Sequence, residues 1–281
     1  MAALPEPFAT HLPPLLALAF AEDLPDITST ALFGPEDRLQ ALLRAKQEGV
    51  LCGLPAFAHA FVTLDQSCEV DALHNDGDLL QAGTVVAHVA GRARTVMAAE
   101  RTALNLLARL SGIATLAHRY VTALVGTRCR VLDTRKTTAG WRALEKYAVR
   151  CGGGTNHRMG LFDAAMIKDR HLAAAGSLTA AVGRVRDRWG DSVALVVECA
   201  DLDQVREALA CGVRHIMLDN MDVEAMRSAV AEAAGRAALE ASGGITLENA
   251  RAVAETGVDF ISIGALTHSA PALDLSLKVV S

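Results

Sequence analysis

The second half of the chain carries short apolar runs, each followed by a helical pattern. Their ends are 21, 23 and 22 residues apart and fall at Glu198, Asp219, Ser242 and Gly264. Repeated strand–helix units of this length are typical of a parallel sheet with helical connections. A similar run at 165–169 and a strand end at 131–133 extend the pattern. Because fewer than eight strands are recognisable, the repeat predicts an incomplete parallel βα-barrel.

The first half shows a different organisation. Residues 38–64 read as strand, turn and helix, and residues 68–93 as short alternating strands broken by glycine turns, which predicts a small antiparallel sheet. A chain of 281 residues that is 51% hydrophobic can bury two cores. We therefore expect an α/β plus α+β protein with an N-terminal α+β sandwich domain at 1–112 and an incomplete βα-barrel catalytic domain at 113–281. The last residues are expected to pack back on the N-terminal domain.

Functional residues of βα-barrels lie at the C-terminal ends of the strands. Here those ends carry Lys168, Glu198, Asp219, the Ser242-Gly243-Gly244 turn and Gly264. Two carboxylates on neighbouring strands suit Mg²⁺ together with substrate phosphates, so Glu198 and Asp219 are the candidate metal ligands. The alternative is that these acids lie on the surface or form salt bridges with Lys168.

Positive charge is concentrated between Arg128 and Arg170. This stretch holds ten Arg and Lys residues against four acids, whereas the whole chain has a net charge of −5. The contrast favours a pocket for a small anion over a nucleic-acid surface. Within it, Arg142, Lys146 and Arg150 recur at helical spacing, which predicts an anion or a partner subunit opposite them. The alternative is a solvated basic face relieved by Glu145.

Two glycine-rich turns indicate close approach of the backbone to another group. Residues 151–155 contain three consecutive glycines and precede His157 and Arg158. Residues 242–246 lie between a strand and a helix predicted at 247–255, where free backbone N–H groups can bind a phosphate. Gly264 and Ala265 offer a second turn of this kind.

Six cysteines without C-x-x-C spacing favour reduced, buried thiols over a disulfide framework or a zinc site. The apolar run at 15–20 is too short for a membrane span and lacks a basic leader, so a cytoplasmic location with no membrane association is expected.

The stretches DTRKTT, LEKYAVRCGGGTNHR and IKD-x-H, in this order and spacing, closely resemble quinolinate phosphoribosyltransferase, also called carboxylating nicotinate-nucleotide pyrophosphorylase. The resemblance runs from about Glu22 to Lys278. It implies a decarboxylating glycosyltransferase of NAD biosynthesis that converts quinolinate and 5-phosphoribosyl-1-diphosphate to nicotinate mononucleotide, diphosphate and CO₂. It also implies Mg²⁺ bound with the diphosphate and a homodimer with shared active sites, with a hexamer of dimers as a further option.

The same resemblance implies roles for individual residues. The quinolinate carboxylates would be held by Arg101 from the partner subunit, Arg135, His157, Arg158 and Lys168. The phosphoribosyl diphosphate and its metal would be held by Lys136, Glu198, Asp219, Ser242, Gly243, Gly244, Gly264 and Ala265. The catalytic residues among these would be Lys136, Lys168, Glu198 and Asp219. An apolar segment at 103–116 beside Arg101 is expected to be buried against the second subunit. The alternative for Arg101 is an exposed helix charge paired with Glu100.

Two positions depart from the family pattern. Arg170 replaces the usual Asn of IKD-N-H, and Val196 replaces the first Glu of V-E-V-E; both changes make the mouth of the barrel more positive. These departures leave the reaction class intact and concern the substrate geometry and the metal affinity. Two other functions are alternatives to this reaction. One is an enzyme of the same fold that acts on another aromatic acid such as nicotinate, and the other is a non-catalytic anion-binding protein.

Overall fold

The computed structural model describes residues 4–280. Its first half contains helices and strands in the order α1 (Phe8–Asp23), α2 (Ile27–Leu32), β1 (Arg38–Ala45), β2 (Gly49–Val50), α3 (Leu54–Leu64), β3 (Glu69–Ala72), β4 (Leu79–Leu80), β5 (Val85–Arg92) and α4 (Ala93–Ala123). Its second half continues with β6 (Arg130–Leu132), α5 (Arg142–Cys151), β7 (Ala164–Ile167), α6 (Asp169–Ala175), α7 (Leu178–Trp189), β8 (Ala194–Cys199), α8 (Leu202–Ala210), β9 (His215–Asp219), α9 (Val223–Ala233), β10 (Ala238–Ser242), α10 (Ala250–Ala254), β11 (Phe260–Ser262), α11 (Ala265–His268) and β12 (Leu275–Val280).

The chain divides into two compact units. Unit 1 comprises residues 1–118, 137–153 and 266–281, and unit 2 comprises residues 119–136 and 154–265. This division differs from a single boundary after residue 112 in two ways. Helix α4 runs without interruption past that position, and helix α5, which follows the first barrel strand in sequence, belongs to unit 1.

Unit 1 is built on an antiparallel sheet with the strand order β12-β1-β5-β3. In β1 the side chains alternate, so Ala41, Leu43 and Ala45 are buried while their neighbours are more exposed. The antiparallel sheet predicted for this half of the chain is thus confirmed. Its edge strand β12 comes from the end of the chain and pairs with β1, with Leu43 opposite Leu277.

Helix α4 forms much of the core of unit 1. Its apolar face, which includes Ala103, Leu107, Leu110 and Ile113, is buried within the chain itself. The expectation that this segment needs a second subunit to cover it is therefore wrong. Among residues 4–280, no helix combines the length and apolar character needed to cross a membrane.

Unit 2 is a six-stranded parallel sheet with the strand order β6-β11-β10-β9-β8-β7. Strands β7 to β11 follow one another in sequence order, and β6 pairs with β11. This is the strand order of a βα-barrel. The ring is open, because the described pairings do not join β6 to β7. The predicted incomplete barrel is confirmed.

Candidate active site

The inner face of the parallel sheet is polar. Side chains of register partners in a parallel sheet point to the same face. Met217 is the register partner of both Glu198 and Glu240, and Asp219 is the partner of Ser242. These side chains therefore share one face. The opposite face carries fully or nearly fully buried apolar side chains at Val197, Cys199, Ile216, Leu218, Leu239 and Ala241.

The C-terminal ends of the strands bring together three predicted site residues. Lys168 follows β7, and its ammonium group donates a short hydrogen bond to the Glu198 carboxylate on β8. Asp219 ends β9, where its carboxylate accepts a hydrogen bond of 3.0 Å from Asn220 Nδ2. The salt bridge that the sequence left open as an alternative for Glu198 is thus present. Because an ammonium group has three donors and a carboxylate two oxygens, each residue can meet a substrate or an ion in addition to this contact or in exchange for it.

A second layer of polar groups lies deeper on the same face. Glu240 is fully buried, and its Oε2 accepts hydrogen bonds from His215 Nε2 at 2.8 Å and His157 Nε2 at 3.2 Å. Burial alone would raise the pKa of Glu240, but the two histidines outweigh it and lower the pKa to about 2. Glu240 is therefore an anion that fixes both imidazole rings.

The loop that carries His157 is attached to the end of β6. Thr155 bridges to Leu132, and the buried carboxylate of Asp133 accepts hydrogen bonds from Asn156 Nδ2 at 2.6 Å and from the His157 backbone N–H at 2.8 Å. The Asp133 carboxylate thus accepts hydrogen bonds from this loop that a neighbouring strand would accept in a regular sheet. The loop is held by one backbone bridge and by the Asp133 side chain.

Both ring nitrogens of His157 are engaged within the protein. Nδ1 accepts the Arg158 backbone N–H at 2.7 Å, so Nε2 carries the proton that is donated to Glu240. His157 can bind a substrate carboxylate only if it gives up one of these contacts. Its geometry is that of a residue that positions the adjacent Arg158.

Arg135 and Arg158 lie close enough to repel each other. Burial is the main cause that lowers the pKa of Arg158, and the charge of Arg135 adds to it. The Arg158 guanidinium also donates to the Ala164 carbonyl at 2.9 Å, which fixes its position. Two guanidinium groups this close to each other favour a carboxylate-bearing anion between them. Lys136, next in the chain, is exposed.

The glycine turn after β10 needs glycine for steric reasons. Gly243 has φ +95°, and a Cβ atom there would lie 2.0 Å from Asn220 Oδ1. The helix predicted at 247–255 begins only at Ala250, so that prediction is wrong at its start. Asn249 explains the delay, because its side chain accepts from Thr246 N–H and donates to the Gly244 carbonyl, which stabilises a turn. Any phosphate here would meet the N–H groups of this turn. The second glycine turn, Gly264 and Ala265, is half-buried between β11 and α11.

The basic residues predicted to share one face of α5 lie in different environments. Lys146 is buried in α5, whereas Arg150 is exposed and lies over the Tyr147 ring. Glu145 is also buried, and it bonds to Arg109 and to Thr138. Burial of Lys146 contradicts the alternative of a solvated basic face, and an anion or a partner subunit opposite these residues stays a prediction.

Arg101 lies exposed on α4, and no ion pair joins it to Glu100 in the described part of the chain. Adjacent residues of a helix point in different directions, which accounts for the missing pair. Of the two departures from the family pattern, Arg170 is exposed at the start of α6 and Val196 is buried in β8.

Sequence reasoning missed Glu240, His215 and the structural role of Asp133. The signal for the first two was present in the strand alternation. His215 lies four residues before Asp219, and Glu240 lies two before Ser242, so each must share a face with a predicted site residue. No comparable sequence signal identifies Asp133 as the anchor of the His157 loop.

Known proteins match the chain along almost all of its length. Residues 26–111 match the model of the quinolinate phosphoribosyl transferase N-terminal domain, and residues 113–278 match that of its C-terminal domain. A Synechocystis protein named probable nicotinate-nucleotide pyrophosphorylase (carboxylating) is 48% identical over 90% of this chain and 86% of its own length. A Bacillus subtilis protein of the same name is 44% identical over 96% and 93%.

Solved structures agree with the sequence matches. The crystal structure of NadC from Streptococcus pyogenes superposes with a TM-score of 0.91 at 40% identity, covering 95% of this chain and 96% of that one. A human nicotinic acid phosphoribosyltransferase, at 14% identity and a TM-score of 0.63, shares the fold alone. The chain belongs to the quinolinate phosphoribosyltransferase family.

Proposed function

We propose that this chain transfers the phosphoribosyl group of 5-phosphoribosyl-1-diphosphate to quinolinate with loss of CO₂, a step of NAD biosynthesis. The proposal rests on one observation: cationic side chains and two carboxylates lie together at one polar face of the parallel sheet. Arg135, Arg158 and Lys168 match a substrate with two adjacent carboxylates, because arginine binds carboxylate in a bidentate manner. Glu198 and Asp219 stand at the same strand ends for the second, phosphorylated substrate.

The protein's contribution to this reaction is positioning and charge. The pyridine nitrogen is itself the nucleophile, so no side chain needs to bond to the sugar. Arg158 is held by the Ala164 carbonyl and by the His157 loop, which presents it in one orientation. Lys168 leaves Glu198 to meet a quinolinate carboxylate, and Lys136 and the glycine turns bind the phosphorylated substrate. Loss of the ring 2-carboxylate is assisted once the nitrogen is cationic.

Mg²⁺ fits the residues present. Glu198 and Asp219 supply two hard oxygen donors at neighbouring strand ends, and both are half-buried and accessible from the same face. When bound, the ion would neutralise charge on the leaving diphosphate. Release of Glu198 from Lys168 would serve both substrates, because it frees an ammonium group for quinolinate and a carboxylate for the ion.

The assembly proposal is a homodimer in which Arg101 completes the partner's site, with a hexamer of dimers as the larger assembly. Its support is the exposure of Arg101 on α4 together with its place in unit 1, whereas the other carboxylate-binding residues belong to unit 2. A cytoplasmic location is proposed from the six free thiols, which suit a reducing compartment.

The test measures the binding of the two substrates separately. Asp219→Ala should raise the Kd of phosphoribosyl diphosphate with Mg²⁺ by tenfold or more, about 1.4 kcal/mol, and leave the quinolinate Kd within about twofold. Asp219→Asn controls for side-chain size, because it keeps the size of the side chain and removes its charge. It should resemble Asp219→Ala if the lost charge causes the effect. Isothermal titration of each substrate measures both constants. Equal losses for the two substrates would contradict the assignment of Asp219.

A further inference from the structure

Unit 1 contains a cluster of two thiols and a carboxylate that the proposed reaction does not use. Cys52 precedes α3, Asp76 lies in the turn before β4, and Cys151 is the last residue of α5. Their Sγ and carboxylate oxygen atoms all lie within 4.8 Å of one another. Cys52 is fully buried, and the other two residues are half-buried.

The backbone around the cluster is fixed independently of any ligand. The N–H of Cys52 donates to Ser111 Oγ at 2.9 Å, and its carbonyl accepts from the same hydroxyl at 3.1 Å. The end of α5 packs so tightly that a Cβ atom at Gly152 would lie 2.2 Å from the Ala114 carbonyl oxygen. Three donor groups from distant parts of the sequence are therefore preorganised, as a binding site requires.

The carboxylate of Asp76 is oriented but not saturated. Oδ1 accepts the Leu54 N–H at 2.9 Å, and Oδ2 accepts the Tyr147 hydroxyl at 3.0 Å. A carboxylate has about four lone-pair positions, so each oxygen can still bind a cation. The Tyr147 hydroxyl acts as an outer partner that orients the ligand oxygen, an arrangement common around protein metal sites.

The electrostatics of the cluster favour a cation. A hydrogen bond from the Cys52 thiol lowers the pKa of Cys151, so its sulfur ionises more readily. Burial raises the pKa of Cys52 well above its usual range and raises that of Asp76. Cys52 and Asp76 therefore bear negative charge at a cost in free energy that a bound cation would offset, whereas Cys151 ionises more readily.

We propose that Cys52, Cys151 and Asp76 form a binding site for a thiophilic divalent cation of the zinc class. With Zn–S bonds of about 2.3 Å in tetrahedral geometry, two thiolate sulfurs lie roughly 3.8 Å apart. The observed limit of 4.8 Å requires side-chain movements of about an ångström or less. Binding displaces the two thiol protons to solvent and leaves a fourth position for water. Soft sulfur ligands distinguish this site from the carboxylate pair Glu198 and Asp219, which suits Mg²⁺.

The experiment is a titration of the reduced full-length protein with Co²⁺, used as a spectroscopic probe for Zn²⁺. We expect a thiolate-to-cobalt charge-transfer band in the near ultraviolet that saturates at one equivalent, with release of about two protons per ion. Zn²⁺ should abolish the band by displacement. A Co²⁺ ion at Glu198 and Asp219 gives no such band, so failure of the proposed reaction and failure of this site are distinguishable.

Variants locate the ion. Cys52→Ser and Cys151→Ser should each reduce the charge-transfer band by about half or more and weaken binding at least tenfold. Cys211→Ser is the matched control, because Cys211 is also a half-buried thiol at the end of a helix, α8, and this variant should keep the full band. Circular dichroism checks that each variant is folded.

Three results would overturn the proposal: absence of the band in the wild-type protein, a band that survives in both cysteine variants, or a band lost in Cys211→Ser. A mass decrease of two hydrogens after mild treatment with hydrogen peroxide, in a protein that shows no cobalt band, would identify the thiols as a redox pair instead. The proton release of the wild-type protein tests the site even if a variant fails to fold.

Discussion

At the scale of single residues, the buried anion Glu240 fixes two histidine rings of the site. It holds His157 and His215 by charge-assisted hydrogen bonds to one oxygen, and His157 in turn accepts the Arg158 N–H. The position of Arg158, which we propose binds quinolinate, therefore depends on a buried carboxylate behind His157. Neutralising Glu240 would loosen both rings.

The pH dependence of stability should reveal Glu240. Its pKa in the folded protein is about 2, below the ordinary value of 4.5, so its stabilising contribution is present above pH 4.5 and is lost as the pH falls towards 2. The contribution is at most about 3 kcal/mol. Urea unfolding of wild type and Glu240→Gln should differ most above pH 5, and the difference should shrink on acidification. A difference that is constant from pH 6 to pH 3 would refute this explanation.

Individual site residues could be predicted to different extents. Glu198 and Asp219 end regular strands, so their proximity follows from counting along the sequence. The Lys168–Glu198 salt bridge could only be posed as an alternative, because a pairing across two strands depends on register. The role of Asp133 was beyond prediction, because it depends on how an irregular loop folds back on a strand end.

At the scale of elements, the turn after β10 allows a comparison of two adjacent glycines. Gly243→Ala places a methyl group against Asn220, and its φ of +95° is unfavourable for alanine. We expect a stability loss of about 1–3 kcal/mol and a rise in the KM for phosphoribosyl diphosphate of roughly tenfold, about 1.4 kcal/mol. The KM for quinolinate should change little.

Gly244→Ala is the control for this prediction. Gly244 also has a positive φ, +62°, but a Cβ atom there meets nothing within 4 Å. This variant should lose about 1 kcal/mol or less, the cost of the backbone conformation alone. Thermal unfolding and steady-state kinetics measure both effects. Equal losses in the two variants would show that contact with Asn220 does not decide the outcome.

Elements with a regular period were predictable, and irregular ones were not. The spacing of strand ends predicts the parallel sheet because every unit repeats the same strand and helix lengths. The start of α10 was misjudged because Asn249 forms side-chain hydrogen bonds that compete with the first helical turn. Burial of Lys146 in α5 is likewise a consequence of tertiary packing, which periodicity of charge does not report.

At the scale of the whole molecule, the proposed sharing of active sites between two subunits predicts complementation between two inactive chains. Arg101→Ala and Lys136→Ala should each abolish most activity. In a mixed population, half of the dimers contain one copy of each chain, and one of their two sites is wild type at both positions. Activity should return to about a quarter of normal. A mixture that stays inactive would place Arg101 in the site of its own chain.

The apolar composition of α4 is not an argument for this dimer. The apolar segment at 103–116 suggested an interface because its composition is unsuited to water, yet its apolar face is buried in its own chain. Composition alone does not reveal whether an apolar helix is covered by its own chain or by a partner. What remains is the exposure of Arg101 on α4 in unit 1.

The central claim is that a cationic pocket selects a substrate with two carboxylates and releases one as CO₂. The most direct measurement follows labelled CO₂ from quinolinate carrying the label in its 2-carboxylate, with and without phosphoribosyl diphosphate, and compares the turnover of nicotinate. The account predicts one CO₂ per nicotinate mononucleotide, strict dependence on the second substrate, and kcat/KM for nicotinate at least 100-fold lower, about 2.7 kcal/mol. Comparable use of nicotinate, or no CO₂ release, would contradict it.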